Sequence, residues 1–188
     1  MRLRLALMLA LPGIAPGSAE AQNGAWVSAG GGGARNRVSC ENCQDITHHW
    51  GASGFVRVGG VVSEHILVGG ELHFWQATVE DSEAYVRGIQ AVVLWYPSPP
   101  GGFFGQAGLG LSRIRNSFDV GGEVVRAGET GLGVTAGVGW DFPLKKGLYL
   151  TPRIASVVVP VATIDTPAGP LDNLVSTLYR FELGLTFR

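Results

Sequence analysis

The 188-residue chain is poor in charge: Lys, Arg, Asp and Glu make up 15% of it, against about 25% in an average soluble chain. Its apolar share of 46% is ordinary, so a globule of this composition would lack a polar coat. No apolar run approaches the roughly 18 residues of a membrane-spanning helix, and no stretch has helical periodicity. Basic residues are not in excess. The 14 Lys and Arg stand against 15 Asp and Glu, so the basic footprint of a nucleic-acid binder is missing. No Gly-x-Ser-x-Gly elbow occurs, which removes support for an esterase of that type. The run Gly30–Gly33 is followed by no Gly-Lys-Ser/Thr, so it is packing relief and not a phosphate loop. What is abundant is glycine, 29 residues, roughly twice the usual share of about 7%.

The chain begins like an exported protein. Arg2 and Arg4 precede the apolar stretch Leu5–Ala15, and Ala19-Glu20-Ala21 is an A-x-A cleavage site. Residues 1–21 are therefore expected to be a signal peptide and residues 22–188 a single domain. No cysteine follows the cleavage site, so no lipid anchor is expected there. Export places the two cysteines in an oxidising compartment.

Strand signals recur along the rest of the chain. Segments at 25–34, 53–63, 65–76, 84–96, 103–115, 129–142, 148–159 and 175–187 are each near the 9–11 residues that cross a bilayer at a tilt. In the last, Tyr179, Phe181, Leu183, Leu185 and Phe187 share one face, and Arg180, Glu182, Gly184 and Thr186 the other. The sixth sets Leu132, Val134, Ala136, Val138, Trp140 and Phe142 against glycines, Thr135 and Asp141. Strand side chains alternate between two faces, so each segment has an oily side and a polar side. Connections alternate as well. Those after the even segments are short, and those at 35–52, 77–83, 116–128 and 160–174 are mostly longer. Short periplasmic turns and longer outer loops are the usual arrangement of outer-membrane barrels. Aromatic residues gather near the segment ends: Trp26, Trp95, Tyr96, Phe103, Phe104, Trp140, Phe142, Tyr149 and Phe187 at one, Phe55, Phe74, Trp75, Tyr85 and Tyr179 at the other. They are expected to form two interfacial belts.

These patterns predict an all-β fold, an eight-stranded antiparallel up-and-down transmembrane β-barrel with both termini periplasmic. The polar faces are mostly Gly, Ser and Thr, which suits the crowded interior of an eight-stranded barrel better than a watery exterior. The expected interior charges are Arg57, Glu71, Asp141, Arg153, Arg180 and Glu182, three of each sign. Buried charges need partners, so the expectation is a salt-bridged plug with no open channel.

The signal segment, the eight alternating segments, the stretch Leu67-Val-Gly-Gly-Glu-Leu-His-Phe-Trp75 and the ending Tyr179-Arg-Phe-Glu-Leu-Gly-Leu-Thr-Phe-Arg188 resemble the small outer-membrane β-barrel family, which includes OmpX-like and OmpA-like barrels. The resemblance implies a bacterial outer-membrane location, membrane lipids as neighbours, and a last strand read by the barrel-insertion machinery. Such a strand commonly ends in an aromatic residue. Here Phe187 is penultimate and Arg188 follows. The OmpA type continues into a peptidoglycan-binding domain, and the sequence stops at the barrel, so that role is not assigned.

Several clusters could carry chemistry. Cys40-Glu-Asn-Cys43 precedes His48 and His49. A local disulfide is the expected state in an oxidising compartment, and zinc is the alternative. A lipid A-modifying enzyme would need His, Ser and an acid near the outer leaflet, for which His73 with Glu71, or His48 or His49 with Ser53, are the candidates. None has a distinctive spacing. Glu80-Asp-Ser-Glu83 reads as a solvated acidic loop. Arg87, Arg113, Arg115 and Arg126 fall near the outer rim, where arginine would pair with lipopolysaccharide phosphates. The expected function is a non-enzymatic envelope barrel, monomeric and without cofactor, that meets lipids or partners through its outer loops. A lipid A-modifying enzyme and a narrow pore are the alternatives.

Overall fold

A computed structural model of the protein describes residues 24–39, 47–79, 82–98, 102–120, 123–166 and 169–188, without the side chains of 47–48, 79, 82, 116–120, 123–127 and 161–173. The expected signal peptide, residues 1–21, lies outside the described residues, as do Cys40 and Cys43. The described chain is eight strands: β1 (Ala25–Ser39), β2 (Thr47–Ser63), β3 (Ile66–Val79), β4 (Ser82–Trp95), β5 (Gly102–Val120), β6 (Glu123–Lys145), β7 (Leu148–Thr166) and β8 (Gly169–Phe187). Each pairs antiparallel with its chain neighbours, and β8 returns to β1 to close the barrel.

The pairing sets the shape. The row that starts at Ala25 runs through Gly60, Val68, Val93, Ala107, Ala136, Ser156 and Tyr179 and meets β1 again at Arg35, ten residues further on. That stagger tilts eight strands by about 40° to the barrel axis.

Alternation decides what each face meets. Val58, Leu72, Ile89, Leu109, Leu132, Val134, Ile154, Leu183 and Leu185 point outward and are exposed. An apolar exterior belongs in lipid. On β5 the apolar exterior runs from Phe103 to Leu111. Nine residues at about 3.3 Å each, tilted by about 40°, rise roughly 20 Å, close to the usual apolar band of about 25 Å. The band ends abruptly at the far end, away from the described chain termini. The exterior row Leu72, Ile89, Leu111 and Leu132 is followed, two residues along each strand, by Phe74, Arg87, Arg113 and Thr130.

Two expectations from the sequence are corrected. The longer connections expected at 35–52, 77–83, 116–128 and 160–174 are in large part strand. β5 and β6 run on to Val120 and Glu123, and β7 and β8 to Thr166 and Gly169. These extensions stand beyond the apolar band. There neither face of a hairpin lies against lipid, so the alternation that marks a strand within the bilayer is not required. The second correction concerns the aromatic belts. Trp95, Phe103, Trp140, Phe142 and Phe187 do face outward at the terminal end, as do Phe74 and Tyr179 at the far end. Trp26, Tyr96, Phe104, Phe55 and Trp75 are buried inside. Nearness to a strand end does not fix parity, and these five fall on the inward phase.

Candidate functional site: the barrel interior and its far rim

The interior is filled in three layers. At the terminal end Trp26, Leu67, Val92, Leu94, Tyr96 and Phe104 pack as an apolar cluster. At the far end a second cluster forms around Trp75, Val86, Ile114, Val157, Val159 and Leu178. A polar layer lies between them, built from inward-facing polar and charged side chains of the strands.

Glu71 on β3 is the hub of that layer. One carboxylate oxygen accepts from Arg153 at 2.6 Å and from Gln106 at 3.1 Å, and the other accepts from Arg180 at 2.7 Å. Glu182 accepts from the same two arginines, at 2.9 Å from Arg153 Nε and 3.0 Å from Arg180. Arg57 lies 3.9 Å from Glu71 and donates to Gln106 at 3.2 Å and to Ser28 at 3.3 Å. Arg57, Glu71 and Arg180 are each 1% exposed or less. Five of the six charges singled out in the sequence thus meet in one layer.

The sixth, Asp141, stands in a separate group nearer the terminal end. It accepts from Tyr96 at 2.8 Å and Thr151 at 2.7 Å, and Arg188 lies 3.5 Å away. A chain of hydroxyls through Thr151, Thr186 and Ser28, each step 2.8 Å, links this group back to Arg57.

Sequence reasoning missed Phe55, Gln106 and Arg188. The Phe55 ring contacts two guanidiniums, its centroid 3.5 Å from that of Arg153 and 4.8 Å from that of Arg57. It rests on Gly30 and Gly184, which face each other across the β1–β8 seam. A Cβ at either would come within 2.8 Å of the ring, so both positions require glycine. Parity would have found Phe55, two residues from Arg57, and Gln106, which shares its phase with Gly108, Gly110 and Ser112 and alternates with Leu109 and Leu111. Arg188 turns inward and lies 4.5 Å from the Tyr96 ring and 4.6 Å from that of Tyr149. Its amide donates to the Gly147 carbonyl at 3.0 Å.

The catalytic candidates are placed less favourably. His73 Nδ1 is 3.9 Å from Glu71, and Nε2 is 3.5 Å from Ser112 Oγ. This sequence of acid, imidazole and hydroxyl has the residue types of a nucleophilic site. Yet His73, Glu71 and Ser112 are all buried inside the barrel, where no acyl chain reaches them. Ser53 is buried too, His49 is partly exposed, and the His48 side chain lies outside the described residues. Among the described residues no cluster of His, Cys, Asp and Glu is arranged to hold a metal ion.

The far rim carries the outward arginines. Arg87 on β4 sits directly opposite Arg113 on β5, and Arg115 opposite Tyr85. The Arg87 guanidinium lies 5.8 Å from the Tyr85 ring. Like charges directly opposite on paired strands repel each other, and among the described residues no carboxylate forms an ion pair with either. Below them a groove of about 580 Å³ is lined by Leu72, Phe74, Ile89, Leu111 and the two arginines. Arg126 lies on β6, and its side chain is outside the described ones.

Fold and surface together define a class: a closed eight-stranded barrel with a lipid-facing exterior and a packed interior. Among solved structures this fold is shared with Neisserial surface protein A, at 17% identity and a TM-score of 0.57, covering 87% of this chain and 96% of that one. It is shared also with the attachment invasion locus protein Ail of Yersinia pestis in complex with the heparin analogue sucrose octasulfate, at 13% identity and a TM-score of 0.60, covering 88% and 99%. A major outer membrane protein from Thermus thermophilus matches at 12% identity and a TM-score of 0.52, covering 87% and 98%. No family model and no curated protein matches the sequence.

Proposed function

We propose that this protein is a non-enzymatic, monomeric barrel of the bacterial outer membrane. Both chain ends lie on the periplasmic side, the lumen is closed by its own side chains, and the far rim meets the outer leaflet. The observation that carries this reading is the filled interior: two apolar clusters bracket a layer in which Glu71 and Glu182 bind Arg153 and Arg180 in common. A water-filled path would have to cross all three layers. The buried setting of His73 and Ser112 argues against an acyl-transfer role.

The exterior supports the lipid contact. Arg87 and Arg113 face each other just above Leu72, Ile89 and Leu111, so a phosphate between the guanidiniums would relieve their repulsion while its acyl chains lay on the leucines. Ail, which shares this fold, has been crystallised with a sulfated sugar, and a rim of this kind suits a polyanion.

Purified, folded protein in a planar bilayer tests the closed lumen. The expected record is a flat baseline with no steady channel. A large and steady conductance refutes the reading in favour of a pore.

A further inference from the structure

At the terminal mouth of the lumen one cation sits in a pocket that the rest of the chain builds. Arg188, one residue past β8, turns its guanidinium inward, 4.5 Å from the centre of the Tyr96 ring and 4.6 Å from that of Tyr149. Its Nη2 lies 3.5 Å from Asp141 Oδ2. Two aromatic faces and a carboxylate around a cation are the parts of an aromatic cage, in which the rings attract the desolvated charge. Asp141 supplies the counter-charge. Its side chain is fully buried, and Arg188 is its only ion-pair partner among the described residues. A buried carboxylate without a cation is costly, so the site calls for a positive charge whether or not Arg188 supplies it.

The pocket is firmly held and its occupant is not. The Tyr96 amide donates to the His65 carbonyl at 2.8 Å, and the Tyr96 carbonyl accepts from His65 Nδ1 at 2.7 Å. The Tyr96 hydroxyl donates to Asp141 at 2.8 Å, and its ring packs on Phe104 with centroids 5.3 Å apart. Thr151 donates to the other Asp141 oxygen at 2.7 Å and bonds in turn to Thr186 at 2.8 Å. None of these bonds involves Arg188. The Arg188 backbone is tied by its amide to the Gly147 carbonyl at 3.0 Å, but its Nη2 makes no hydrogen bond among the described residues. Its 3.5 Å to Asp141 compares with 2.6–3.0 Å for the ion pairs of Arg153 and Arg180 in the central layer. Its side chain is 12% exposed, so it borders water at the mouth and can leave the cage without crossing the layers of the interior.

We propose that Tyr96, Tyr149 and Asp141 form a binding site for a small alkylguanidinium cation at the terminal mouth, with Arg188 as a resident ligand that an incoming cation displaces. A guanidinium is planar and weakly hydrated, so it suits two rings and a carboxylate better than an ammonium does. A slim alkyl tail fills the space that the Arg188 stem gives up. A tethered ligand acts as a local concentration of about millimolar order, so Arg188 weakens a free competitor without excluding it. On the function proposed above this mouth opens to the periplasm, which makes the ligand a periplasmic one.

The test titrates butylguanidinium into the folded protein in phosphatidylcholine nanodiscs and follows the ring signals of isotope-labelled tyrosine by NMR. Nanodiscs leave both mouths open to solvent, so the outcome does not depend on which one is periplasmic. Arg188→Ala empties the cage. It is expected to bind butylguanidinium saturably, shifting the signals of Tyr96 and Tyr149 and not those of Tyr85 and Tyr179. The wild-type protein should show the same shifts at concentrations at least about tenfold higher. Butylurea, the neutral analogue of the same shape, should leave the signals in place, and adding Asp141→Asn to Arg188→Ala should weaken binding at least about tenfold. Heat-dependent gel mobility confirms that each variant is folded. The proposal is overturned if folded Arg188→Ala shows no saturable shift, if butylurea acts as strongly, if Asp141→Asn leaves affinity unchanged, or if the wild type binds as tightly as Arg188→Ala. It is also overturned if the Tyr96 and Tyr149 signals of the wild type stay fixed at the highest concentration that leaves it folded, an arm that needs no variant.

Discussion

Removing the charge of Glu71 should unbalance the whole interior. The central layer holds Arg57, Arg153 and Arg180 against Glu71 and Glu182. Glu71→Gln keeps the shape but leaves three guanidiniums facing one carboxylate. At an effective dielectric of about 20, a unit pair at about 4 Å interacts by roughly 4 kcal/mol. Glu71 has two arginines closer than that, at 2.6 and 2.7 Å. Part of the loss is offset because a neutral amide costs less to bury than a carboxylate. Breaking a buried pair from one side typically costs about 3–5 kcal/mol, and that is the loss expected here. Urea-driven unfolding in phospholipid vesicles, followed by tryptophan fluorescence and gel mobility, measures it. The double variant Glu71→Gln with Arg180→Met removes one charge of each sign. It should cost less than the sum of the two single changes, since neighbours in one network couple by about 0.5–3 kcal/mol. A single-variant loss below about 1 kcal/mol, or strict additivity in the double variant, refutes the reasoning.

Changing Arg87, Arg113, Arg115 and Arg126 together to glutamine should reduce the lipopolysaccharide that copurifies with the barrel. Stability should stay within about 0.5 kcal/mol per site, as expected for surface changes; unchanged lipid content rules out the rim as the contact. Arg188→Ala removes the ion pair with Asp141 and the contacts with Tyr96 and Tyr149. It should lower stability by about 1–2 kcal/mol, while Arg188→Lys recovers only part because ammonium does not stack as guanidinium does. The same vesicle unfolding assay reads both.

The sequence by itself determined the barrel. Within the bilayer one face of every strand must be apolar and the other must fit a crowded interior, and this constraint writes a period of two into the chain. It is why Leu183 and Arg180, or Val138 and Asp141, could be assigned to opposite faces before any pairing was known. It also marked the inward charges, because an ionisable residue on the lumen phase of a strand has no other place to go.

Tertiary structure decided what lay beyond that constraint. The far ends of β5 to β8 read as loops because outside the membrane neither face is forced to be apolar, and only pairing shows them to be strands. Trp26, Phe55 and Trp75 looked like belt residues from their position along the chain; parity and the fit of Phe55 over Gly30 and Gly184 put them inside. Which carboxylate meets which guanidinium depends on a stagger of ten residues around the barrel, a sum over eight registers that no single strand carries. That stagger gathers Glu71, Arg153, Arg180 and Glu182 into one layer and leaves Asp141 to a separate group with Arg188.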